Sequence, residues 1–409
     1  MPETTHAADA RRARVAMSNS GGMLPPAALD EARRITDLAE ADLPHLLADL
    51  RRWVDQDTPG GDRELVDALA RTLAETLEGY GLAAELVPDP AGLYVHATLA
   101  GNGRAHVCLL GHHDTVFPEG TSTARPFRVD GDRCFGPGVA DMKGGLAVAA
   151  HVARLMADGP RPFRLLEVVS VPDEEKRNGG PATGERLLAA DAVLCLECGR
   201  PGGEVVSARK GARWFRVHAS GRAAHAGEAP HRGRNAAHAL AAEAMRVISL
   251  HGSRPDLTVQ ITGLEAGEGL NVVPSRGSLT VDLRAWTQAD LDWALSQAWS
   301  FQEHDGIELA VEDFGGPPPL ERTDTVARLA EAAIELGAGI GHRFGETGAG
   351  GVSDGSWTAA QGLPTLDGLG PVGGEDHSPH EYAEVSSFAP RCGVVAGLVA
   401  AIDAGLLSY

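Results

Sequence analysis

The sequence predicts an α/β fold, in which a mostly parallel β-sheet has helices on both faces and is interrupted by a smaller inserted α+β domain. Short apolar segments such as residues 106–110 (HVCLL) alternate with helical segments, which is typical of parallel strands buried on both faces. Residues 211–316 differ, because their strand-like segments alternate polar and apolar residues, as in a sheet with one exposed face.

The length of the chain also favours two domains, because 409 residues are more than one hydrophobic core usually serves. We expect a flexible leader at residues 1–30, the first part of the larger domain at 31–210, the inserted domain at 211–316 and the second part of the larger domain at 317–409. A Pro/Gly-rich segment at 315–323 (GGPPPLERT) would carry the chain back into the larger domain.

The larger domain contains two clear helical patterns. Residues 62–79 place four leucines, at 65, 69, 73 and 77, on one helical face. Residues 143–159 (KGGLAVAAHVARLMADG) form a second helix that Gly159 closes. The remaining predicted elements of this domain are strands at 106–110, 164–171 (RLLEVVSV), 191–197 (DAVLCLE) and 364–368.

The inserted domain is predicted to contain two helices and three or four antiparallel strands. Thr287 and Asp290 resemble a capping box at the start of the second helix. In chain order, the recognisable segments are a strand at 212–221, a helix at 233–250, strands at 257–267 and 276–286, and a helix at 287–304.

Composition excludes several classes of partner. The net charge of −20 and the pI near 5.2 argue against nucleic acid and against an anionic membrane surface. No apolar run reaches about 18 residues, so we expect no transmembrane helix. The N-terminus has no apolar signal core, so we expect a cytoplasmic protein whose five cysteines are reduced. Cys195 and Cys198 would start on opposite faces of a strand, which argues against a shared metal.

Polar residues collect where the predicted strands end. In an open parallel sheet these ends share one edge, where sites form. The histidines and carboxylates found there suit zinc or another divalent metal. They lie in GHHDTVFP after residue 110, GPGVADMKGG before residue 146, PDEEKRN after residue 171, Glu197, and GGEDHSPHEY after residue 368.

Each of these residues also has a simpler interpretation. Asp141 stands where a helix cap is expected. Adjacent glutamates, such as Glu174 and Glu175, usually belong to a solvated loop. His151, in the middle of a predicted helix, fits a packed or solvated histidine better than a ligand. The placement of several such residues at strand ends favours a joint site over these separate interpretations.

The order of the motifs resembles a known family. From about residue 105 to the C-terminus the chain contains, in this order, GHHDTV, GPGVADMKGG, DEE, LECG, RKG, GRAAHAG, GRNAA, NVVPSRGSLTVDLR and GGVSDG…GPVGGEDHSPHEY. This series resembles the di-zinc peptidase family that includes glutamate carboxypeptidase, acetylornithine deacetylase, succinyl-diaminopimelate desuccinylase and the aminoacylases. The first hundred residues match only in general character.

The resemblance implies a ligand set. His112, Asp141 and Glu197 would hold one zinc ion, while Asp141, Glu175 and His377 would hold the second. Asp141 would then bridge two Zn²⁺ ions, with Co²⁺ or Mn²⁺ as alternatives.

The resemblance also separates these ligands from nearby polar residues. His113 is not a ligand position in the family, and the family pattern favours His377 over His380. Asp114 would hydrogen-bond the far nitrogen of His112 and fix its tautomer.

The resemblance further implies amide hydrolysis through a zinc-bridged hydroxide, with Glu174 as general base. His225 would reach across a homodimer to the oxyanion, while Asn271 and Arg284 would hold a substrate carboxylate. The inserted domain would serve for dimerisation and as a lid. For Arg284, a salt bridge on its own strand is the alternative. The substrate would be an N-acyl amino acid or a small peptide that loses its C-terminal residue.

Other functions remain open at this point. A dipeptidase or aminopeptidase of the same family is the first alternative, although Glu197 resembles the carboxypeptidase and deacylase members, whereas aminopeptidases tend to have Asp there. A non-catalytic relative that binds metal or ligand is the second. The segment KRNGGPATG after Glu175 departs from the family's usual Gly-Ser-x-Gly turn and puts the acyl-side specificity in doubt.

Overall fold

The computed structural model describes residues 24–176, 186–187, 189–267 and 269–408. Most of the predicted leader, and the segment 177–184 of the departure after Glu175, lie outside these residues. The first helix begins at Pro26, inside the predicted leader of residues 1–30. It starts there because proline suits the first helical position and because Ala28, Ala32 and Ile35 are buried along one face.

The elements run in chain order as follows. The helices are α1 (Pro26–Val54), α2 (Arg63–Gly79), α3 (Thr121–Ala124), α4 (Lys143–Ala157), α5 (Ala236–Ile248), α6 (Gln288–Ala298), α7 (Asp324–Gly339), α8 (Asp354–Ala360) and α9 (Phe388–Asp403). The strands are β1 (Ala83–Asp89), β2 (Gly92–Ala100), β3 (His106–His112), β4 (Arg128–Asp130), β5 (Arg133–Phe135), β6 (Leu165–Val171), β7 (Ala192–Cys195), β8 (Val205–Arg209), β9 (Gly211–Ser220), β10 (Thr258–Ala266), β11 (Arg276–Ala285), β12 (Glu308–Gly315), β13 (Glu346–Ala349), β14 (Thr365–Leu366), β15 (Gly373–Gly374) and β16 (Tyr382–Glu384). Short 3₁₀ turns cover Pro230–Arg232 and Val385–Ser387.

The main sheet consists, among the described residues, of six strands in the order β1-β2-β6-β3-β7-β14. The pairs β6–β3, β3–β7 and β7–β14 are parallel, while β1 and β2 form an antiparallel edge. The prediction of a mostly parallel sheet is therefore confirmed. Every residue of β3 is buried, as its continuous apolar sequence indicates.

Helices α1, α4 and α9 pack together in the largest core cluster, which also includes Leu109 and Leu166 from the main sheet. The helix at Val385–Asp403 is long and apolar enough, by length and composition alone, to cross a membrane, although no such segment was expected. Most of it is buried in this core against α1, which is the environment of an ordinary core helix.

The second sheet has, in the described part of residues 211–315, the antiparallel order β10-β11-β9-β12. Helices α5 and α6 pack on it, and Phe215, Leu240, Leu283 and Leu291 belong to a core cluster of their own. Burial alternates along β11, as the sequence pattern predicts. Thr287 caps α6 by accepting a hydrogen bond from the backbone N–H of Asp290, so this half of the predicted capping box is confirmed.

The chain enters and leaves the second sheet at adjacent points. The backbone groups of Arg209 and Leu320 exchange hydrogen bonds of 2.9 and 3.1 Å, and Ala212 N–H donates to the Pro317 carbonyl. Residues 211–315 are thus connected to the rest of the chain by two backbone segments that lie side by side. Smaller sheets complete the fold, namely the parallel pair β13–β8 and the antiparallel set β15-β16-β5-β4.

Candidate metal centre

Five predicted donor residues meet at the carboxyl edge of the main sheet. His112 is the last residue of β3, Glu175 follows β6 and Glu197 follows β7. Asp141 precedes α4, and His377 lies between β15 and β16. The chain brings these residues together because parallel strands end at the same edge of a sheet.

The first group of donors consists of His112, Asp141 and Glu197, each offering an atom within 4.8 Å of the others. His112 Nε2 lies 3.0 Å from Asp141 Oδ1 and 3.6 Å from Glu197 Oε1. His112 and Glu197 are buried, so this group faces inward from the protein surface.

The second group consists of Asp141, Glu175 and His377, again with donor atoms within 4.8 Å of one another. His377 Nε2 lies 3.1 Å from Asp141 Oδ2 and 3.5 Å from Glu175 Oε2. The two oxygens of Asp141 therefore face two different histidines, which is the arrangement of a carboxylate shared by two cations.

These residues fit a pair of divalent metal ions. Ligands about 2.0–2.1 Å from a tetrahedral metal lie about 3.3 Å apart, close to the spacings of the facing donor atoms. The donors are imidazole nitrogens and carboxylate oxygens, a set that suits zinc and related cations. Three acidic side chains against two imidazoles also leave a need for positive charge.

The pKa values of the donor groups also indicate that the cluster lacks positive charge. Burial raises the pKa of Glu197 well above its usual range, and the charge of Asp141 adds to the effect. Burial also raises the pKa of Glu175, although its hydrogen bond with His377 opposes the shift. Hydrogen bonds to Asp141 and then Glu175 raise the pKa of His377 to about 11. Protons and metal ions thus compete for these donor atoms.

Asp114 organises the neighbouring loop. Its oxygens Oδ1 and Oδ2 accept hydrogen bonds of 3.0 Å from the backbone N–H groups of Glu174 and Glu175. His112 Nδ1 lies 3.1 Å from the Asp114 carbonyl oxygen and 3.3 Å from Oδ1. The far nitrogen of His112 does face Asp114, as expected, but the carbonyl oxygen is the closer partner.

This contact also explains why two glutamates stand together after β6. Residues 174–176 form a turn, in which the N–H groups of both glutamates are fixed by one carboxylate. Glu175 reaches His377, while Glu174, the residue before it, is buried. Asp141 is not the cap of α4, because the cap position is Met142. The peptide bond between Asp141 and Met142 is cis.

The two neighbouring histidines lie outside both donor groups. His113 is buried and its Nδ1 lies 2.8 Å from the Ser170 hydroxyl. Burial lowers the pKa of His113 to about 3, so its ring is neutral. His380 is exposed, and its backbone N–H donates to the Ser378 hydroxyl. The geometry therefore agrees with the preference for His377.

The remaining predicted site residues lie on the second sheet or its loops. His225 is exposed, and its Nδ1 accepts hydrogen bonds from the N–H groups of Gly227 and Glu228. Asn271 is exposed on the loop between β10 and β11. Arg284 pairs with Asp282 at 2.9 Å, which is the alternative that the sequence left open, and it also donates to the Gly350 carbonyl.

The chain does not bring these three residues into the donor cluster. Within the described residues, no hydrogen bond or ion pair joins His225, Asn271 or Arg284 to any of the five donors. Sequence reasoning also missed a residue that does contact the cluster. Glu381 accepts the backbone N–H of Asp141 at 3.0 Å, and its position four residues after His377 was the available signal.

Two other candidate clusters have structural explanations. Asp42, His45 and His151, between α1 and α4, form a third set of possible donors. The guanidinium of Arg154 contacts Asp42 there and already supplies positive charge, so His151 is a packed histidine, as the sequence favours. All five cysteines are free and buried, including Cys195 and Cys198.

Comparison with known proteins decides the family. Residues 108–401 match the model of the peptidase family M20/M25/M40, a segment that contains all five donors and Glu174. The chain belongs to this family. Members of the M20/M25/M40 family are metal-dependent hydrolases of amide bonds, and the expected membership and enzyme class are confirmed.

Named members of the M20/M25/M40 family are similar over most of the chain. Carboxypeptidase G2 from a Pseudomonas species is 29% identical over 375 residues, which cover 88% of this chain and 90% of the relative. A succinyl-diaminopimelate desuccinylase from Corynebacterium glutamicum is 30% identical over 286 residues, covering 64% of this chain and 72% of that protein.

Solved structures of M20 proteins share the fold. Aminopeptidase PepT from Bacillus cereus aligns over 93% of this chain and 100% of its own, with a TM-score of 0.73 and 20% identity. An M20 metallo-carboxypeptidase from Sulfolobus solfataricus aligns over 88% of this chain and 99% of its own, with a TM-score of 0.69 and 17% identity.

Proposed function

We propose that this chain hydrolyses the amide bond of an N-acyl amino acid or releases the C-terminal residue of a small peptide. The observation that carries the proposal is the placement of Asp141 between His112 and His377, next to the loop that bears Glu174. Similarity to Carboxypeptidase G2 over 88% of the chain supports a carboxypeptidase-like reaction. Glu197, rather than an aspartate, at the third donor position supports the same choice.

In this proposal His112, Asp141 and Glu197 would hold one divalent cation, and Asp141, Glu175 and His377 would hold a second. Zn²⁺, or else Co²⁺ or Mn²⁺, would supply Lewis acidity to the substrate carbonyl and to a water molecule.

The side chains around these donors then carry out the proton transfers. Glu174 accepts a proton from the water that attacks the carbonyl carbon, and it passes this proton to the nitrogen that leaves. Asp114 holds Glu174 and Glu175 in place through their N–H groups. The same carboxylate also faces Nδ1 of His112, so one residue orients both the base and a donor.

We also propose that residues 211–316 form an inserted lid domain through which two copies of the chain associate. Its separate core and the adjacent crossings at Arg209 and Leu320 support a domain that moves as a unit. Leu270 and Val272, on either side of Asn271, are exposed apolar residues that would be covered by another surface.

The substrate would then meet three residues of the inserted domain. His225 has its Nδ1 fixed by two backbone N–H groups, so Nε2 is the nitrogen available to a developing oxyanion. Asn271 and Arg284 would hold the substrate carboxylate, provided that Arg284 exchanges its partner Asp282 for the substrate.

An activity screen tests the substrate class. Wild-type protein is stripped of metal, reloaded with Zn²⁺, Co²⁺ or Mn²⁺, and assayed on N-acyl amino acids and on dipeptides that differ only in a free α-amine. We expect turnover that depends on added metal and is faster with the blocked amine. Faster cleavage of the free-amine substrates would instead identify a dipeptidase or aminopeptidase.

Sedimentation tests the assembly. We expect a species of twice the 42.6 kDa chain mass, and we expect Leu270→Asp to weaken it. A wild-type protein that sediments only as a single chain would contradict both the dimer and a role for His225 across it.

A further inference from the structure

Glu381 connects two distant loops of the candidate metal centre. It lies directly before β16, four residues after His377, and its side chain reaches the loop between β5 and α4 that carries Asp141. Glu381 Oε1 accepts hydrogen bonds from Ala140 N–H at 2.8 Å and Asp141 N–H at 3.0 Å. Glu381 Oε2 accepts one from Gly138 N–H at 3.0 Å.

The burial of this carboxylate is unusual for its type. Glu381 is 1% exposed, and carboxylates are almost never so buried unless they are well paired. Among the described residues, its hydrogen-bond donors are all backbone N–H groups. Three such bonds to one carboxylate are strong, because they lie in a low-dielectric interior.

The loop that Glu381 binds has few other ways to satisfy its N–H groups. Gly138, Ala140 and Asp141 precede α4, so no helical carbonyl accepts from them. Gly138 adopts a positive φ of 77°, and the loop turns sharply there. A single carboxylate thus accepts hydrogen bonds from three N–H groups of the backbone that leads to Asp141.

The pairing of β16 with β5 fixes the backbone position of Glu381. Tyr382, the next residue, pairs with Phe135 at the end of β5, and the loop to Asp141 begins one residue later. Glu381 therefore links two segments, the one before β16 that contains His377 and the one after β5 that contains Asp141. These two segments supply two of the three donors of the second group, and His377 Nε2 lies 3.1 Å from Asp141 Oδ2.

We propose that Glu381 is a positioning residue, whose carboxylate holds Asp141 at the place where its two oxygens face His112 and His377. This inference rests on the proposed metal-binding role of Asp141. Without the three hydrogen bonds the backbone at Asp141 is free to shift relative to His377, and the shared carboxylate no longer meets both imidazoles. Outer-shell partners of metal ligands of this kind change metal affinity by about 10–100-fold when they are mutated.

Glu381→Gln tests the proposal with little change of shape. The amide keeps one carbonyl acceptor but replaces the other acceptor oxygen with an NH₂ group, which faces one of the backbone donors. Stripped protein is titrated with Co²⁺ in competition with a chelator, and the visible absorption of bound Co²⁺ is recorded. We expect about 10–100-fold weaker Co²⁺ binding and an altered spectrum.

A matched control separates positioning from general stability. Glu243 is 0% exposed in the core of the second sheet and accepts the backbone N–H of Gln302 at 3.0 Å. Glu243→Gln also removes a buried carboxylate, one that pairs with Arg246 at 2.6 Å and His304 at 2.9 Å and is remote in the fold from the donors. We expect it to lower the melting temperature while Co²⁺ affinity and the Co²⁺ spectrum stay as in the wild type.

The outcomes distinguish this inference from the function it rests on. If folded Glu381→Gln binds Co²⁺ as tightly as the wild type and with the same spectrum, the positioning role is wrong. If that variant does not fold, Glu381→Asp decides, because its shorter side chain cannot reach all three donors unshifted. Wild-type affinity in Glu381→Asp would also overturn the role. A wild-type protein that binds no Co²⁺ would overturn the metal assignment itself.

Discussion

The main sheet and the second sheet bury their strands in different ways. In the main sheet β3 is buried along its whole length, with Leu109 in the large core cluster and Leu110 in the cluster on the opposite face. In the second sheet β11 alternates, so Leu283 is buried while Thr280 is half-exposed. Both sheets are stable packing arrangements, but only the second leaves a strand face for polar residues.

This difference decides where functional residues can be recognised. A sheet that is apolar on both faces places its polar chemistry at strand ends, so His112 and Glu197 stand out as soon as the strands are found. A sheet with one exposed face carries polar residues at every second position. Arg284 therefore looks the same in the sequence whether it binds substrate or pairs with Asp282.

The strongest test of the comparison removes the shared donor at the strand-end site. In Asp141→Asn we expect turnover to fall roughly 10⁴–10⁶-fold, as for other essential groups. Metal content should fall with it, because Asp141 contributes an oxygen to both donor groups. Activity and bound metal are measured on the same preparation. An active Asp141→Asn variant with full metal content would mean that the donor cluster is not the active site.

A second test separates chemistry from metal binding at the same edge. In Glu174→Gln we expect turnover to fall about 10²–10⁴-fold, the usual contribution of general acid–base catalysis. The backbone N–H of residue 174 can still donate to Asp114, so metal content should stay at the wild-type level. Metal analysis and single-turnover assays check this pair of expectations. Unchanged turnover would assign the base to another residue.

Many elements of the larger domain and several donor residues could be predicted from the sequence. The strands β3, β6 and β7 and the helices α2 and α4 follow directly from apolar runs and leucine spacing. The choice of His377 over His380 depended on family resemblance, and the geometry agrees with it. The position of Glu197 at the edge of the sheet followed from its apolar strand alone, although β7 ends at Cys195, two residues earlier than the predicted strand.

Other parts could not be predicted, for physical reasons. Helix α9 is buried on all sides, so it lacks the polar stripe that marks a helix. Helix α1 continues through Pro44, where a helix usually ends. The contact of Glu381 with Gly138 and Asp141 joins positions about 240 residues apart in the chain, and no local pattern encodes such a contact.

Core substitutions test the difference in burial itself. We expect Leu109→Ala and Leu110→Ala each to lower the free energy of unfolding by about 2–5 kcal/mol, because both faces of β3 are packed. In β11 only the buried one of two successive residues, Leu279 and not Thr280, should have so large an effect on the free energy of unfolding. Leu279→Ala should cost about the same, whereas Thr280→Ala should cost about 1 kcal/mol for its hydrogen bond from Arg216.

Urea unfolding of the four variants measures these costs. Equal costs at residues 279 and 280 would show that the second sheet is packed on both faces. A negligible cost at Leu110 would show that one face of β3 is less tightly packed than its burial indicates.

The pH dependence of stability gives a further comparison of the two sheets, because each contains a glutamate that contacts histidine. In the main sheet Glu167 is buried between His106 and His96, at 3.0 and 3.2 Å. Burial raises the pKa of Glu167, but the hydrogen bonds from these histidines outweigh it and lower the pKa to about 2. In the second sheet Glu312 pairs with His218 at 3.0 Å, and both side chains are about half exposed.

A pKa lowered by folding means that the carboxylate stabilises the protein above the unfolded value of 4.5. This stabilisation, on the order of 3 kcal/mol, should be lost as the pH falls from about 4.5 towards 2. Glu167→Gln should therefore lower stability at pH 7 and flatten the acid branch of the stability curve. Glu312→Gln, as the matched exposed pair, should change stability by less than about 1 kcal/mol. Urea midpoints between pH 7 and pH 3 compare the two variants, and equal slopes would show that burial does not distinguish the two pairs.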